Sequence, residues 1–260
     1  MEQKHVSVSQ AVRWAFKAYA THSLLFVVIG LLLFMSICAY SLGFGMLSDR
    51  VLFGKSSKGS IEFLMLFHVI AIQIVSLLFG IFGLGLVKIT LDIYDHGKAE
   101  FKTLFSQWRL IRPAGVASGI FSIAFLLGLA FFVIPGLWIA ARYCLYMYVL
   151  VDKKSKKIFE AFQESYRLTA GATWHMLGLF VVGPLFTGLV ILMPIVIYML
   201  LFVSLFVYTH FSRGPWFSYI EIGSGLISLL LLIPITSLMF AYAYRKQQEY
   251  SRQLPMLSEL

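Results

Sequence analysis

Apolar residues along this chain fall into long blocks separated by short polar stretches. The blocks are Leu24–Leu47, Phe63–Val87, Ala114–Ile134, Leu137–Val151, Trp174–Phe211 and Tyr219–Tyr244. A helix crossing a bilayer needs about 20 apolar residues at 1.5 Å each. Hydrocarbon offers backbone groups no partner outside the chain, so helix is the expected form. The pattern predicts an all-α, polytopic membrane helical bundle with six transmembrane helices arranged as three hairpins. The fourth block is short and follows directly on Pro135-Gly136, the turn of the middle hairpin. The fifth block is long enough to cross twice if folded at Pro194, which would make seven helices. One crossing, continued on the outer side over Ile195–Phe211, is the expected form for the charge reasons given below.

Between the blocks lie three segments with helical rather than continuous apolar spacing. In the first, Val8, Ala11, Val12, Ala15, Phe16 and Tyr19 share a face, and Ser7 with Gln10 has the spacing of a capping box. The second places Phe101, Leu104, Phe105, Trp108 and Ile111 in register. The third does so with Ile158, Phe159, Phe162, Ser165, Tyr166 and Thr169. Each is expected to be an amphipathic helix lying in the membrane interface, or packed on the bundle floor, ahead of its hairpin. The chain then reads as a single membrane domain over 1–260. It has pseudo-repeats at about 5–95, 96–152 and 153–246, and a tail over 247–260.

Composition agrees with the blocks: 60% of residues are hydrophobic and 13% charged, against about half and a quarter in soluble domains. Charge then orients the bundle. With six spans and the N-terminus inside, sixteen Lys and Arg fall on inner segments and Arg50, Lys55, Lys58 and Arg213 on outer ones. Basic residues concentrate on the cytoplasmic side, so both termini are expected in the cytosol and the protein in the cytoplasmic membrane. A second crossing in the fifth block would carry Arg245, Lys246 and Arg252 outside, against this rule. The net charge of +9 is then an inner-leaflet surplus that attracts anionic headgroups. Lys153, Lys154, Lys156 and Lys157 form its densest run and are expected to contact inner-leaflet lipid. No basic-aromatic module points to nucleic acid. Lys4, Arg13 and Lys17 precede an apolar stretch too long for a leader, so the first span is expected to be uncleaved.

Candidate chemistry is sparse. Arg142 lies inside the fourth block, about 9 Å along the helix from the outer turn at 1.5 Å per residue. A guanidinium there should face the bundle interior, pair or snorkel. Glu62 and Glu221, at the outer ends of the second and sixth blocks, are its candidate partners, and His68 lies nearby on the second. A structural arginine locking the hairpin and a contact to an anionic ligand or headgroup both fit. Asp92 and Asp95 beside Lys88 and His96 read as a solvated helix end, and His175 as interfacial. Cys38 and Cys144 sit in apolar blocks and carry no disulfide framework. No metal spacing, P-loop or nucleophile motif is present, so no cofactor is expected. Small-residue pairs Gly115/Gly119, Ala114/Ser118/Ser122, Ser76/Gly80 and Ser224/Ser228 offer close-packing faces.

The stretch Ile134–Trp174 carries Pro135, Gly136, Asp152, Ala161, Ser165, Arg167, Leu168 and Thr169. In this order they resemble the YciC-like integral membrane proteins and the membrane domain related to them beside glycerophosphoryl diester phosphodiesterases. The motif spans Pro-Gly turn, apolar span, acid and Ala…Ser…Arg-Leu-Thr helix. The resemblance implies a bacterial cytoplasmic-membrane protein tied to lipid or envelope biology. The phosphodiesterase domain is missing here, so its activity is not implied. The expected function is non-enzymatic: organising or sensing lipid, or scaffolding partners, at the inner leaflet. The alternative is a transporter of a small amphiphile or anion, with Arg142 at its site and the repeats and Pro184, Pro194 and Pro234 in its favour. A lipid enzyme ranks third, for want of paired acids or a nucleophile with its base.

Overall fold

The structure is a computed structural model that describes residues 7–36, 38, 58–131, 133–154, 157–179, 226 and 228–257. Every regular element among these residues is helical. In chain order they are α1 (Val8–Thr21), α2 (Ser23–Ser36) and α3 (Lys58–His96), then two 3₁₀ turns at Phe101–Phe105 and Trp108–Leu110. There follow α4 (Ile111–Phe131), α5 (Val133–Tyr143), α6 (Tyr146–Asp152), α7 (Ile158–Thr169), α8 (173–179) and α9 (Ile233–Leu257), which a π turn at Ser228–Leu232 precedes. Three stretches are long and apolar enough to cross a membrane: Ser76–His96, Phe101–Ala130 and Ile134–Asp152. The pair α1–α2, bent by 84°, is a fourth if counted as one span. Large apolar side chains such as Leu24, Met35, Ile74, Ile123 and Leu126 lie exposed on these helices. A soluble monomer rarely leaves so much contiguous apolar surface uncovered, so these are the helices of a membrane protein. The rest of the first block, nearly all of the fifth and the start of the sixth lie outside the described residues, Ser224 included.

The bundle is held by close backbone approach. α4 runs into α5, and the two pack so closely that a Cβ on Gly128 would lie 2.8 Å from Gly136 Cα. The Pro-Gly pair lies within the first turn of α5, where proline's missing N–H is not needed. Further along the hairpin, Tyr146 stacks on Phe121, centroids 5.3 Å apart, and shares a 3.1 Å hydrogen bond with Ser118. The second close approach is between α3 and the 3₁₀ turns: a Cβ at Gly85 would overlap the backbone of Leu104, whose side chain is fully buried. Gly115 and Gly119, expected as packing positions, face open space instead. Helix contact on that part of α4 is made by Ala114 and Ala117, which are buried.

Two of the three inter-block segments are α-helices, α1 and α7. The second is not: where an amphipathic helix was expected, the chain makes 3₁₀ turns. The Ser106 hydroxyl and backbone N–H both turn back to the Thr103 carbonyl, at 2.7 and 3.1 Å. Side-chain bonds of this kind compete with α-helical pairing, and the chain tightens into 3₁₀ turns. The expected capping box also fails to form: Ser7 makes no side-chain cap and its hydroxyl pairs with that of Ser9 at 2.8 Å.

The inward faces differ from expectation as well. α1 buries Ala11, Ala15 and Ala18 while Phe16 points outward. α7 buries Ala161, Ser165, Leu168 and Thr169 while Phe159 and Tyr166 are exposed. In the 3₁₀ turns Leu104 and Leu110 go in, and Phe101, Phe105 and Trp108 stay out. Small and aliphatic residues let backbones approach, so they take the protein side. The bulky rings are left for the surroundings.

Candidate functional site

The ends of two helices, α3 and α6, converge on an arginine in the middle of a third, α9. Arg245 on α9 turns a fork to Asp152 at the end of α6, with Nη1 donating to Oδ2 at 2.9 Å and Nη2 to Oδ1 at 2.8 Å. Its other edge meets Asp95 near the end of α3, Nε donating to Oδ1 at 2.9 Å, with Nη2 completing the pair. Tyr244 donates to Asp152 Oδ2 at 2.9 Å, and Gln248 donates to the Tyr244 oxygen at 2.6 Å. Burial works against the Arg245 charge, but the bonds to Asp152 and Asp95 and their negative charges outweigh it, so its pKa stands above the ordinary arginine value. Two-edged bidentate contact is the geometry for which guanidinium is suited and ammonium is not.

A polar thread continues from this cluster into the bundle. Tyr148 on α6 donates to the Ser237 carbonyl of α9 at 2.8 Å, and Ser237 and Thr90 of α3 bring their hydroxyls to 3.4 Å. The same three helices are therefore joined twice, by charge at the end and by hydroxyls within. Sequence reasoning placed Asp152 in its motif but missed Arg245, and took Asp95 for a solvated helix end. The available signal was positional: Asp152 and Arg245 each follow directly on an even-numbered apolar block, and Asp95 lies about two helical turns beyond another. Asp92 pairs with Lys88, one helical turn back, at 2.6 Å.

Arg142 sits at the end of α5, and its two halves do different things. Its carbonyl belongs to the last turn before the break at Cys144-Leu145, where carbonyls lack intrahelical donors. Ser165 and Thr169 supply them from α7, their hydroxyls 3.2 and 2.9 Å away. Thr169 Oγ1 is also 2.9 Å from the Ser165 carbonyl, so its one proton is shared. The motif residues Ala161, Ser165 and Thr169 thus form the buried face that docks α7 on the broken fourth block. Leu168 is buried with them, and Arg167 lies outward on Glu164 at 2.9 Å.

The Arg142 guanidinium lies between two rings, 5.2 Å from the centroid of Trp138 and 4.4 Å from that of Tyr166. Nε and Nη1 are buried without a hydrogen-bond acceptor. Among the described residues no carboxylate is in ion-pair range. Glu221 lies outside the described residues. Glu62 and His68 lie on the described backbone of α3, but their side chains do not belong to the described set. Trp138, one of the two rings around Arg142, also lines a hollow of about 520 Å³ with Ile134, Ala141, Gly171, Trp174 and Leu177; Trp174 is 81% exposed, and Arg142 itself is not in the lining.

The lysine run is less uniform than its sequence. Lys153 pairs with Glu164 at 3.2 Å and Lys157 with Glu160 at 2.6 Å. Lys154 is exposed, in a left-handed turn at φ 48°, and Lys156 lies outside the described residues. Among the described residues no group of three His, Cys, Asp or Glu is placed to hold a metal ion. No family model matches the chain, and no curated protein or solved structure is significantly similar to it.

Proposed function

We propose that the chain is a non-enzymatic, multi-pass protein of the cytoplasmic membrane that organises or senses anionic lipid at the inner leaflet, both termini being cytosolic. The observation that carries this reading is the outward set of rings on the three inter-block segments: Phe16, Phe101, Phe105, Trp108, Phe159 and Tyr166. These segments also hold Arg13, Lys17, Lys102, Arg109, Lys157 and Arg167. Aromatic rings beside bases favour the headgroup level of a bilayer. The six-span layout draws support from the Asp95–Arg245–Asp152 cluster. The second, fourth and sixth blocks must end on one side for these groups to meet, and a second crossing within Trp174–Phe211 would separate Arg245 from its partners. The resemblance of the Ile134–Trp174 motif to YciC-like proteins points the same way.

Lipid carried through purification tests the reading. Reversing Lys153, Lys154, Lys156 and Lys157 to Glu is expected to lower the anionic phospholipid retained, seen by mass spectrometry, at unchanged zwitterionic lipid. Lys153 and Lys157 already face Glu164 and Glu160, so the loss is carried by the bases without such a partner, at about 1 kcal/mol each. Equal anionic lipid in the two proteins would remove the reading.

The buried, acceptor-free N–H groups of Arg142, against a ring that lines an apolar hollow, favour one other reading, a transporter of an anionic amphiphile. In that case Arg142→Ala abolishes uptake of some solute while the protein stays inserted, and normal uptake across a solute panel excludes it.

A further inference from the structure

We infer that the mouth at the start of α4, between Arg109 and Arg112, holds one anionic phospholipid, its phosphate on the two guanidinium groups and its acyl chains along α4. The inference rests on the reading above that the chain spans a membrane, and adds to it a specific site and ligand.

Two adjoining hollows share Trp108 and Arg109. One, of about 680 Å³, is lined further by Arg112, Val116 and Ile158; the other, of about 440 Å³, reaches Lys154. No acidic residue lines either. Among the described residues neither arginine makes an ion pair. The Lys153 and Lys157 charges are answered by Glu164 and Glu160, whereas those at this mouth are not. Arg109 is held over the ring of Trp108 at 5.7 Å, and that ring is 60% exposed. A fork stiffened by an aromatic face loses less freedom on taking a phosphate than a free lysine would.

What lies below the mouth identifies the ligand as a lipid rather than a free anion. Val116, Ile120, Ile123 and Leu127 are all exposed, at the spacing that aligns them on one helical face running away from the arginines. Only 17% of the most apolar window in Phe101–Ala130 is buried inside the protein, against 50% for each of the other two spans. Cation above and continuous apolar stripe below match the polarity of a single anionic phospholipid. The pairing of α3 with the 3₁₀ turns at Gly85 and Leu104 fixes the mouth relative to the bundle.

Native mass spectrometry of the full chain, taken from nanodiscs of phosphatidylglycerol and phosphatidylcholine, reads the site. The wild type is expected to keep phosphatidylglycerol in preference to phosphatidylcholine. Arg109→Gln with Arg112→Gln is expected to reduce that preference about thirtyfold, as two interfacial bases would. Lysines at both positions are expected to restore part of it, since they keep charge but lose the fork. A photo-crosslinking residue at Ile123, which leaves the arginines intact, is expected to capture phosphatidylglycerol over phosphatidylcholine. Unchanged preference in the double glutamine variant, equal capture of the two lipids at Ile123, or full displacement by inorganic phosphate would each overturn the site. If anionic lipid is enriched yet indifferent to Arg109 and Arg112, only this site falls. If no anionic lipid is enriched at all, the broader reading falls with it.

Discussion

Arg245→Ala is expected to be among the most destabilising single substitutions in the described part of the chain, by about 3 kcal/mol. The residue satisfies two carboxylates at once, and its side chain is 15% exposed against 27% and 22% for Asp95 and Asp152. Removing it leaves two acids facing each other at the junction of α3, α6 and α9 with no counter-charge. Breaking a buried pair costs more than the pair contributes, because the abandoned charge keeps its desolvation penalty. Arg245→Lys is expected to recover only part of the loss, since one ammonium cannot fork to both acids. Lys157→Ala, which breaks a pair 75% and 57% exposed, is the control and is expected to melt with the wild type. Thermal melts in one detergent decide the matter. An Arg245→Ala protein that melts with the wild type would mean that α3, α6 and α9 are not latched by charge.

Gly85→Ala is the second large effect expected. Its added methyl overlaps the Leu104 backbone, not the tip of a flexible side chain, so α3 and the 3₁₀ turns must separate. Overpacking of this kind costs about 1–3 kcal/mol, and more where backbone must shift. Separation would also pull Leu104 and Leu110 from burial and spread the mouth at Arg109 and Arg112. The expected signs are a lower melting temperature and faster proteolysis between His96 and Ile111. Gly115→Ala and Gly119→Ala are expected to do the opposite. Both face open space within α4, where alanine favours helix over glycine by about 1 kcal/mol. If Gly115→Ala destabilised and Gly85→Ala did not, the packing faces would have been assigned to the wrong glycines.

The contrast between these glycines tells how much a one-dimensional pattern carries. The helical class and the apolar stretches among the described residues were legible, because long apolar blocks are a local property. The segment after Asp152 was legible as a helix, but not the face it buries: Ala161 was absent from the expected apolar face, while Ser165 and Thr169 were on it. The choice of packing glycine was not legible, since Gly85 meets Leu104 through a chain reversal that no spacing rule encodes. Nor was the direction of the amphipathic faces. Bulky apolar residues point inward in water, but in lipid the small ones do, and Phe16 and Phe159 turn outward for that reason. Arg142 drew notice by standing inside an apolar block, yet its carbonyl is engaged as closely as its charge. Arg245 was legible only as one inner-side charge, because its partners come from two other helices far away in sequence.

The proposed side of the membrane for all these sites depends on an even number of crossings. Single cysteines at His5 and Met256, in a chain with Cys38→Ala and Cys144→Ala, test it with a membrane-impermeant maleimide. The account predicts that neither position labels in intact cells and both label once the cytosolic face is opened. Labelling of one terminus from each side would contradict it, and would set Arg245 on the opposite face from the chain's other end.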